Sequence, residues 1–297
     1  MSMERVVWGV PSFWIERFPL YYGRKRGFFQ QRGIDLEIRY YWGGPELAAA
    51  ISRGEVWIGE MGLPPFLKAY SEGLPARVIG SSTIQRLDHY LVARPQISKI
   101  EDLQGRRLGI LSAGSCDDYF ARSMLKATGL DPDTDVELVP LGSAYGNVRC
   151  FAPSPESSLP GVDAGFLVEP FVARAERLGW VRILAAVRDY FPSYQWGIIL
   201  ARMDALERKI DLIRRAMDGF RAACRRIVEN PGEAASFGAQ VFRIAKEDFR
   251  RALLRDLEHW EIDARLDVQG MENCLRVQKE MGSVPSDLRL EGAIKQL

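Results

Sequence analysis

Short hydrophobic runs alternate with longer amphipathic segments over residues 1–201 of the chain. The hydrophobic runs predict strands at 6–10, 34–41, 56–59, 76–80, 89–94, 107–111, 136–140, 164–168, 180–185 and 195–201. The amphipathic segments predict helices at 17–32, 45–54, 65–71 and 112–128, and a further helix opening at 169. Strands that alternate with helices at this spacing are typical of parallel pairing in a doubly wound sheet.

The pattern changes after Met203, where the strand signal almost disappears. Four amphipathic segments predict helices at 206–228, 233–242, 246–259 and 267–281. One earlier segment, 147–162, has no periodicity and contains Pro153, Pro155 and Pro160. A surface loop is one interpretation of this segment, and a lid over a crevice is the other.

Composition and charge narrow the class of protein. The 297 residues can form one large domain or two lobes of ordinary size. Because 40 Lys and Arg residues balance 39 Asp and Glu residues, the net charge of +1 gives no electrostatic footprint for nucleic acid. No apolar run approaches the roughly 20 residues that would span a bilayer.

The start of the chain and its cysteines bear on location. The first ten residues lack the apolar core and small-residue cleavage site of a secretory signal. We therefore expect a cytoplasmic location for the chain as written, and a periplasmic or extracellular one if an export signal was removed. The wide spacing of Cys116, Cys150, Cys224 and Cys274 matches neither a zinc site nor a dense disulfide scaffold.

Three stretches of sequence carry a resemblance to a known family. Residues 19–82 include Pro-Leu-Tyr-Tyr-Gly from Pro19, Ile-Asp-Leu-Glu-Ile from Ile34, the pair Gly43-Gly44, and Ile-Gly-Glu-Met-Gly from Ile58. The other two are Ile-Glu-Asp-Leu-Gln-Gly from Ile100, and Val-Asp-Ala from Val162 with the later Glu-Pro-Phe. Together they resemble the substrate-binding proteins of sulfonate, nitrate and thiamin-pyrimidine-precursor importers.

The resemblance implies a two-lobed α/β fold of the type II periplasmic-binding-protein kind. Each lobe would be a mainly parallel sheet flanked by helices, and extra C-terminal helices would return to the first lobe. The first lobe is expected to be discontinuous, with residues 1–87 plus 197–297, and the second to contain 88–196. Hinge crossings are expected near 85–92 and 193–200.

Turns after the predicted strands of the first lobe are candidate ligand contacts, because such turns converge on one crevice in α/β proteins. They are Ser12, Phe13, Trp14, Gly43, Gly44, Glu60 and Met61. Trp14 could stack on a flat ligand or pack on the first helix. Glu60 could bind an amine or a heteroaromatic N–H group, or act as an acid or base with a raised pKa. Alternatively, the Glu60 carboxylate only accepts hydrogen bonds from backbone N–H groups at the N-terminus of the next helix.

The second lobe and the crossing supply the remaining candidates. They are Arg86, His89, Ser112, Gly114, Ser115, Cys116, Ser143 and Glu169. The helix after Ser112 offers an anion site at its N-terminus, although Ser115 could be only an N-cap and Cys116 only a buried thiol. Arg86 would suit a carboxylate or sulfonate and His89 proton transfer, or both could join Asp88 in an ion cluster. Glu169 could cap its own helix or reach the ligand.

The sequence therefore predicts a ligand-binding protein. We expect it to bind an aromatic or heteroaromatic acid, a sulfonate or a pyrimidine-like molecule in the inter-lobe cleft, with hinge closure, as the substrate-binding protein of an ABC-type importer. Its expected partners are this small molecule and an ABC permease. We expect no nucleic acid partner, no membrane span, no cofactor and no metal. The expected oligomeric state is a monomer or weak dimer.

The alternative is a cytoplasmic enzyme on the same fold, of the decarboxylase, desulfinase or pyrimidine-synthase kind. Gly59-Glu60-Met61 and the pair Arg86 and His89 resemble the decarboxylase pattern, so Glu60, Arg86 and His89 would then be the catalytic residues. The sequence has no P-loop, no His-Glu-x-x-His and no Gly-x-Ser-x-Gly motif.

Overall fold

The computed structural model describes residues 3–11, 13–142, 146, 148–151 and 161–297. In chain order the strands are β1 (Glu4–Val10), β2 (Ile34–Tyr40), β3 (Ile58–Gly62), β4 (Ala76–Ser81), β5 (Tyr90–Ala93), β6 (Arg107–Ile110), β7 (Glu137–Pro140), β8 (Ala164–Leu167), β9 (Arg182–Ala186) and β10 (Gly197–Arg202). The α-helices are α1 (Phe18–Lys25), α2 (Gly43–Ser52), α3 (Leu63–Ser71), α4 (Cys116–Ala127), α5 (Phe171–Arg177), α6 (Val187–Tyr190), α7 (Met203–Arg208), α8 (Ile210–Glu229), α9 (Pro231–Phe242), α10 (Lys246–Leu257) and α11 (Val268–Glu280).

The chain divides into two compact units. Unit 1 contains Met1–Leu87, Ser193–Lys246 and Leu253–Leu297, and unit 2 contains Asp88–Pro192 and Glu247–Ala252. The predicted boundaries at 87/88 and 196/197, with their hinge crossings, stay a prediction.

The sheet of unit 1 has the strand order β2-β1-β3-β10-β4. β1 pairs in parallel with β2 and β3, whereas β10 is antiparallel to both β3 and β4. Alternate residues of β1 face a core completed by α8, and Trp8 stacks on Phe220 with ring centroids 5.7 Å apart. This apolar packing stabilises the sheet face that carries the candidate site.

The sheet of unit 2 repeats the arrangement, with the order β7-β6-β8-β5-β9. β6 is parallel to β7 and β8, and β5 is antiparallel to β8 and β9. Its core includes Val92, Leu167 and Val172. In each sheet one strand thus opposes the direction of the others, and the predicted two-sheet α/β fold with mainly parallel strands is confirmed.

Two predicted helices differ from the structure in their extent. The helix predicted at 17–32 ends with α1 at Lys25, because Gly27 adopts a left-handed φ of 76° and the chain then turns before a short 3-10 helix, Gln30–Arg32. The helix predicted at 206–228 is two helices, α7 and α8, separated by Lys209. The helix α6 has no counterpart among the predicted elements.

A helix that crosses a bilayer must be both long and apolar. In the part of the chain that the structure describes, no helix combines the two properties.

Candidate functional site

The ends of three neighbouring strands bring the predicted contacts of unit 1 to one edge of its sheet. Phe13 and Trp14 follow β1, Gly43 and Gly44 open α2 just after β2, and Glu60 lies in β3. Since β1 is parallel to β2 and β3, these positions share the carboxyl edge. Ser12 lies outside the described residues.

Glu60 and Met61 lie within β3 rather than in a turn. The strand was predicted to end at Gly59, but β10 pairs with it further along, with Ile199 opposite Glu60 and Gly197 opposite Gly62. This pairing keeps the backbone extended to Gly62. The side chain of Glu60 is consequently held on the face of the sheet that also presents Ile58 to the core.

A buried ion cluster surrounds Glu60. Arg17 Nη1 donates to Glu60 Oε1 at 3.0 Å, and the same guanidinium nitrogen pairs with the carboxylate of Glu16. The side chains of Glu16 and Arg17 are 2% exposed and that of Glu60 is 0% exposed. Thr83 Oγ1 donates to the Glu16 carbonyl at 3.1 Å, which fixes the backbone beside the cluster. Two carboxylates therefore share one guanidinium out of contact with water.

The second carboxylate oxygen of Glu60 has no hydrogen-bond partner among the described residues. Burial raises the pKa of Glu60 to about 7, and the charge and hydrogen bond of Arg17 oppose that rise. At neutral pH the group therefore exchanges between a protonated form that can donate and an ionised form that only accepts.

Tyr21 on α1 connects this cluster to the protein surface. Burial raises the pKa of Tyr21. The charge of Arg17 lowers this pKa and the charge of Glu60 raises it, so the Tyr21 hydroxyl lies within electrostatic reach of both. Its ring packs edge-on against Phe13 with centroids 5.5 Å apart, and Phe13 also packs against Phe242 at 4.6 Å. Phe13 is 37% exposed. Phe13, Tyr21 and Phe242 thus form an aromatic cluster, and its member Tyr21 is within electrostatic reach of the ion cluster.

Further aromatic residues with exposed or half-buried side chains follow β1 and lie at the end of β2. Trp42, directly after β2, is 77% exposed, and Tyr40 at the end of β2 is also exposed. Trp14 is half-buried and precedes a 3-10 helix, Ile15–Arg17. Trp42 was not among the predicted contacts, although its position between a strand and a glycine pair was a usable signal. These rings offer flat apolar faces at the carboxyl edge.

The two glycines after Trp42 have local structural roles. Gly43 has a φ of 85°, a region that favours glycine, and its N–H donates to the Pro11 carbonyl at 3.2 Å. A Cβ atom at Gly44 would come within 2.7 Å of the Pro65 side chain. Backbone conformation therefore explains the glycine at position 43, and the close approach of Pro65 explains the glycine at position 44. Contact of either glycine with a ligand stays a prediction.

In unit 2, the start of β5 lies at the carboxyl edge of its sheet because β5 runs against β8. His89, just before β5, is flanked by two buried carboxylates. Its Nδ1 lies 3.1 Å from Asp88 Oδ1, and its Nε2 lies 3.9 Å from Asp117 Oδ1. The His89 carbonyl accepts from the Val187 N–H at 3.0 Å. The imidazole is thus held between two buried carboxylates.

Arg86 does not join this pair. It is exposed and forms no ion pair with any described residue, so the alternative cluster of Arg86, Asp88 and His89 is present only as its Asp88–His89 part. Neither carboxylate oxygen of Asp88 has a hydrogen bond of normal geometry within the described ranges. The role of Arg86 towards a ligand stays a prediction.

Carboxylates of the chain itself occupy the N-terminus of α4. Ser115 is the N-cap, and its Oγ accepts from the Asp118 N–H at 3.3 Å. Asp118 Oδ2 accepts from the Gly114 N–H at 2.7 Å, and its other oxygen pairs with Arg122 at 2.7 Å. Asp117 adds a second buried acidic group in the first turn. The positive end of the helix dipole is therefore already matched by negative charge.

The other predicted contacts of unit 2 have different environments. Ser112 is exposed, and Cys116 is a half-buried thiol. Glu169 is fully buried, and its Oε2 accepts from the Ala173 N–H at 3.0 Å at the start of α5. Ser143 lies outside the described residues, as does most of the segment 147–162.

A metal site would need several donor side chains gathered at one place. Among residues 3–11, 13–142, 146, 148–151 and 161–297, no three or more His, Cys, Asp or Glu side chains gather in a way that could hold a metal ion.

Comparison with known proteins adds two relatives by sequence. The taurine-binding periplasmic protein of Escherichia coli (strain K12) is 31% identical over 209 residues, which is 69% of this chain and 61% of that protein. A protein of Brucella abortus (strain 2308), named for a binding role without a stated ligand, is 24% identical over 231 residues, 75% of this chain and 66% of its own length. The chain thus spans less than two thirds of the length of these curated relatives.

A solved structure shares the fold. The alkanesulfonate-binding protein SsuA from Xanthomonas axonopodis pv. citri, bound to MOPS, superposes with a TM-score of 0.78 at 17% identity and with 100% of both chains covered. A family model described as NMT1/THI5 like matches residues 14–234, from the aromatic turn after β1 to the first residues of α9. A match over that much of the sequence decides the classification: this chain is a member of the NMT1/THI5-like family.

Proposed function

We propose that this chain binds a small organic ligand as the substrate-binding protein of an ABC-type importer. The observation that carries the proposal is the family match over 14–234, within which the Glu60 cluster and most of the aromatic carboxyl edge lie. The names of the taurine-binding and alkanesulfonate-binding relatives support a transport role. That both units enclose one ligand, with hinge closure, stays a prediction.

The proposal implies a partner and a location. An ABC permease would receive the ligand from this protein, which would act on the outer side of the membrane that the permease spans. The periplasmic relative supports such a location. Expression of the full gene followed by cell fractionation tests it, and recovery in the cytoplasm alone contradicts it.

A ligand screen tests binding against catalysis. We expect members of a panel of sulfonates, aromatic acids, amines and aminopyrimidines to raise the thermal midpoint, because a ligand that binds only the folded state stabilises it by mass action. Mass spectrometry of the released compound should recover it unaltered. Recovery of a decarboxylated or desulfinated product, with its formation lost in His89→Ala, would contradict the proposal and support the enzyme alternative.

Replacement of Trp42 by alanine should weaken binding without weakening the fold. Its side chain is largely exposed, so the free energy of unfolding should change by no more than about 0.5 kcal/mol. Loss of a stacking face should weaken the best-binding panel member about tenfold, measured by isothermal titration calorimetry.

The matched control for Trp42 is Val268→Ala, which removes an exposed apolar side chain at the start of α11. This control should change neither quantity. Equal affinity in Trp42→Ala and the wild type would show that Trp42 makes no ligand contact.

A further inference from the structure

The chain passes between the two units through two loop segments. It leaves unit 1 after Leu87 and returns to it at Ser193, whereas its other two passages lie inside the continuous helix α10. The first segment, 82–89, lies between β4 and β5, and the second, 191–196, lies between α6 and β10. Hinges are formed by such loop and element-terminal residues, because these can absorb changes in φ and ψ.

On the unit 1 side, the two loop segments are hydrogen-bonded to each other. The Ser82 N–H donates to the Gly197 carbonyl at 3.1 Å, and the Gly197 N–H donates to the Ile84 carbonyl at 3.0 Å. The Trp196 N–H donates to the Gln85 carbonyl at 2.7 Å. These bonds continue the antiparallel pairing of β4 with β10 beyond the end of β4.

A third stretch of unit 1, residues 261–273, binds both loop segments, and we call it the anchoring segment. It contains the loop before α11 and the first residues of that helix. The Glu261 N–H donates to the Thr83 carbonyl at 2.8 Å. Gln85 Nε2 donates to the Arg265 carbonyl at 2.7 Å. The first loop segment is thus held at two points beyond the end of β4.

Ala264, in the middle of the anchoring segment, has a left-handed φ of 60°. This conformation is unfavourable for a residue with a Cβ atom, and it persists where surrounding contacts enforce it. Ala264 is fully buried, and its carbonyl accepts from the Ser81 N–H at the end of β4 at 3.0 Å. Contact with β4 therefore keeps the anchoring segment in a strained conformation.

The anchoring segment also holds the second loop segment, through α11. Asn273 Nδ2 donates to the Ser193 carbonyl at 2.8 Å, and Ser193 Oγ donates to Asp267 Oδ2 at 3.2 Å. A Cβ atom at Gly270 would come within 2.6 Å of the Gln195 backbone nitrogen. The start of α11 therefore lies directly against the point where the chain returns to unit 1.

The buried side chain of Gln195 connects the second loop segment, the anchoring segment and β4. Its Oε1 accepts from the Asp267 N–H at 2.9 Å. Its Nε2 donates to Ser81 Oγ at 3.1 Å and to the Gly197 carbonyl at 2.7 Å. Breaking any of these bonds would leave a buried polar group without its partner, so the network favours one arrangement of the three elements.

On the unit 2 side, the loop segments are held by other contacts. The His89 carbonyl accepts from the first N–H of α6 at 3.0 Å. Phe191 packs on Phe120 of α4 with ring centroids 4.9 Å apart. Between these fixed points and those of unit 1 lie residues 86–88 and Pro192. The N–H groups of 86–88 donate to no backbone carbonyl within the described part of the chain.

We propose that the anchoring segment makes the unit 1 ends of both loop segments part of one rigid body, and that it confines bending to residues 86–88 and to the bonds around Pro192. This inference rests on the proposed function, because hinge closure is part of that function. It narrows the crossings that the sequence analysis expected near 85–92 and 193–200.

Amide hydrogen exchange of the unliganded full chain, followed by NMR, tests the inference. Relative to their intrinsic rates, the N–H groups of Ser82, Trp196 and Gly197 should exchange at least about tenfold more slowly than those of 86–88. Relaxation dispersion on the same sample should detect motion at 86–88 on the microsecond-to-millisecond timescale. Equal exchange rates, or no such motion at 86–88, would overturn the inference.

Replacement of Asn273 by alanine tests the anchoring segment itself. The variant loses the bond to the Ser193 carbonyl from a half-buried position, so exchange at Trp196 and Gly197 should rise by up to about tenfold. Exchange in β1 should not change. The matched control, Glu272→Ala, removes an exposed side chain at the preceding position of α11 and should change neither region.

A second variant removes the connecting amide. Gln195→Met keeps much of the side-chain length but loses all three hydrogen bonds, so its acceleration should exceed that of Asn273→Ala and extend to Ser82. No local change in Asn273→Ala, or an equal acceleration in β1, contradicts the inference. These measurements need no bound compound, so they decide the inference separately from the ligand panel, which decides the proposed function.

Discussion

Replacement of Arg17 by methionine is expected to lower the free energy of unfolding by about 3 to 5 kcal/mol, because it leaves buried carboxylates without their cation. Methionine keeps much of the length of the arginine side chain, so a cavity contributes little. Glu16 and Glu60 would then lie buried without the guanidinium that both contact. Urea unfolding near neutral pH, followed by circular dichroism, measures the loss.

The control for this variant is Arg86→Met, which removes an exposed guanidinium that has no ion pair within the described ranges. Its free energy of unfolding should stay within about 0.5 kcal/mol of the wild type. The double variant Arg17→Met with Glu60→Gln should be more stable than Arg17→Met alone, because it also removes one of the carboxylates that lost their cation. Changes in the free energy of unfolding within one cluster are not additive. A loss in Arg17→Met as small as in Arg86→Met would contradict the buried cluster.

Replacement of Glu60 by glutamine should stabilise the protein more at alkaline than at acidic pH. Burial raises the pKa of Glu60 to about 7 from an ordinary value of 4.5. Between those values the folded state binds more protons than the unfolded state, so wild-type stability falls as pH rises. The advantage of Glu60→Gln over the wild type should therefore grow by about 3 kcal/mol between about pH 4.5 and pH 8.

Among the described residues, four groups face Glu60 from three neighbouring elements. Arg17 and Glu16 face it from the 3-10 helix, Tyr21 from α1 and Cys224 from α8. Burial raises the pKa values of Tyr21 and Cys224, so both stay neutral over this range. Chemical unfolding of both proteins at matched pH values measures the difference, with Glu72→Gln as the exposed control. If the advantage of Glu60→Gln over the wild type shrinks as pH rises, the effect of Arg17 on the pKa of Glu60 outweighs the effect of burial.

Local patterns were sufficient to predict most of the architecture. The alternating run at 34–41 and the apolar run at 76–80 correspond to β2 and β4, because a half-exposed edge strand leaves an alternating pattern and a buried strand leaves a nearly continuous apolar one. One error falls where a distant segment decides. The predicted end of β3 at Gly59 is wrong because β10, far along the chain, extends the strand by pairing with it. No local signal near Gly59 reports that partner.

The same reason limits what the sequence says about the site. Glu60 could be singled out because a carboxylate beside an apolar run is costly to bury. Arg17 could not, since an arginine at the start of an amphipathic helix ordinarily faces water, and its burial depends on the approach of β3. Likewise, Ser115 is an N-cap as one interpretation allowed, but the contribution of Asp118 to the same turn requires the folded loop.

The position of β4 has a consequence for how the chain folds as it is synthesised. The neighbours of β4 in the described structure are β10 on one side and residues 293–297 on the other, through Val78 and Ile79. All strands of the other sheet, by contrast, are complete once β9 has emerged from the ribosome. The middle of the sequence can thus organise first, while β4 remains an unpaired edge that nascent-chain chaperones would need to shield.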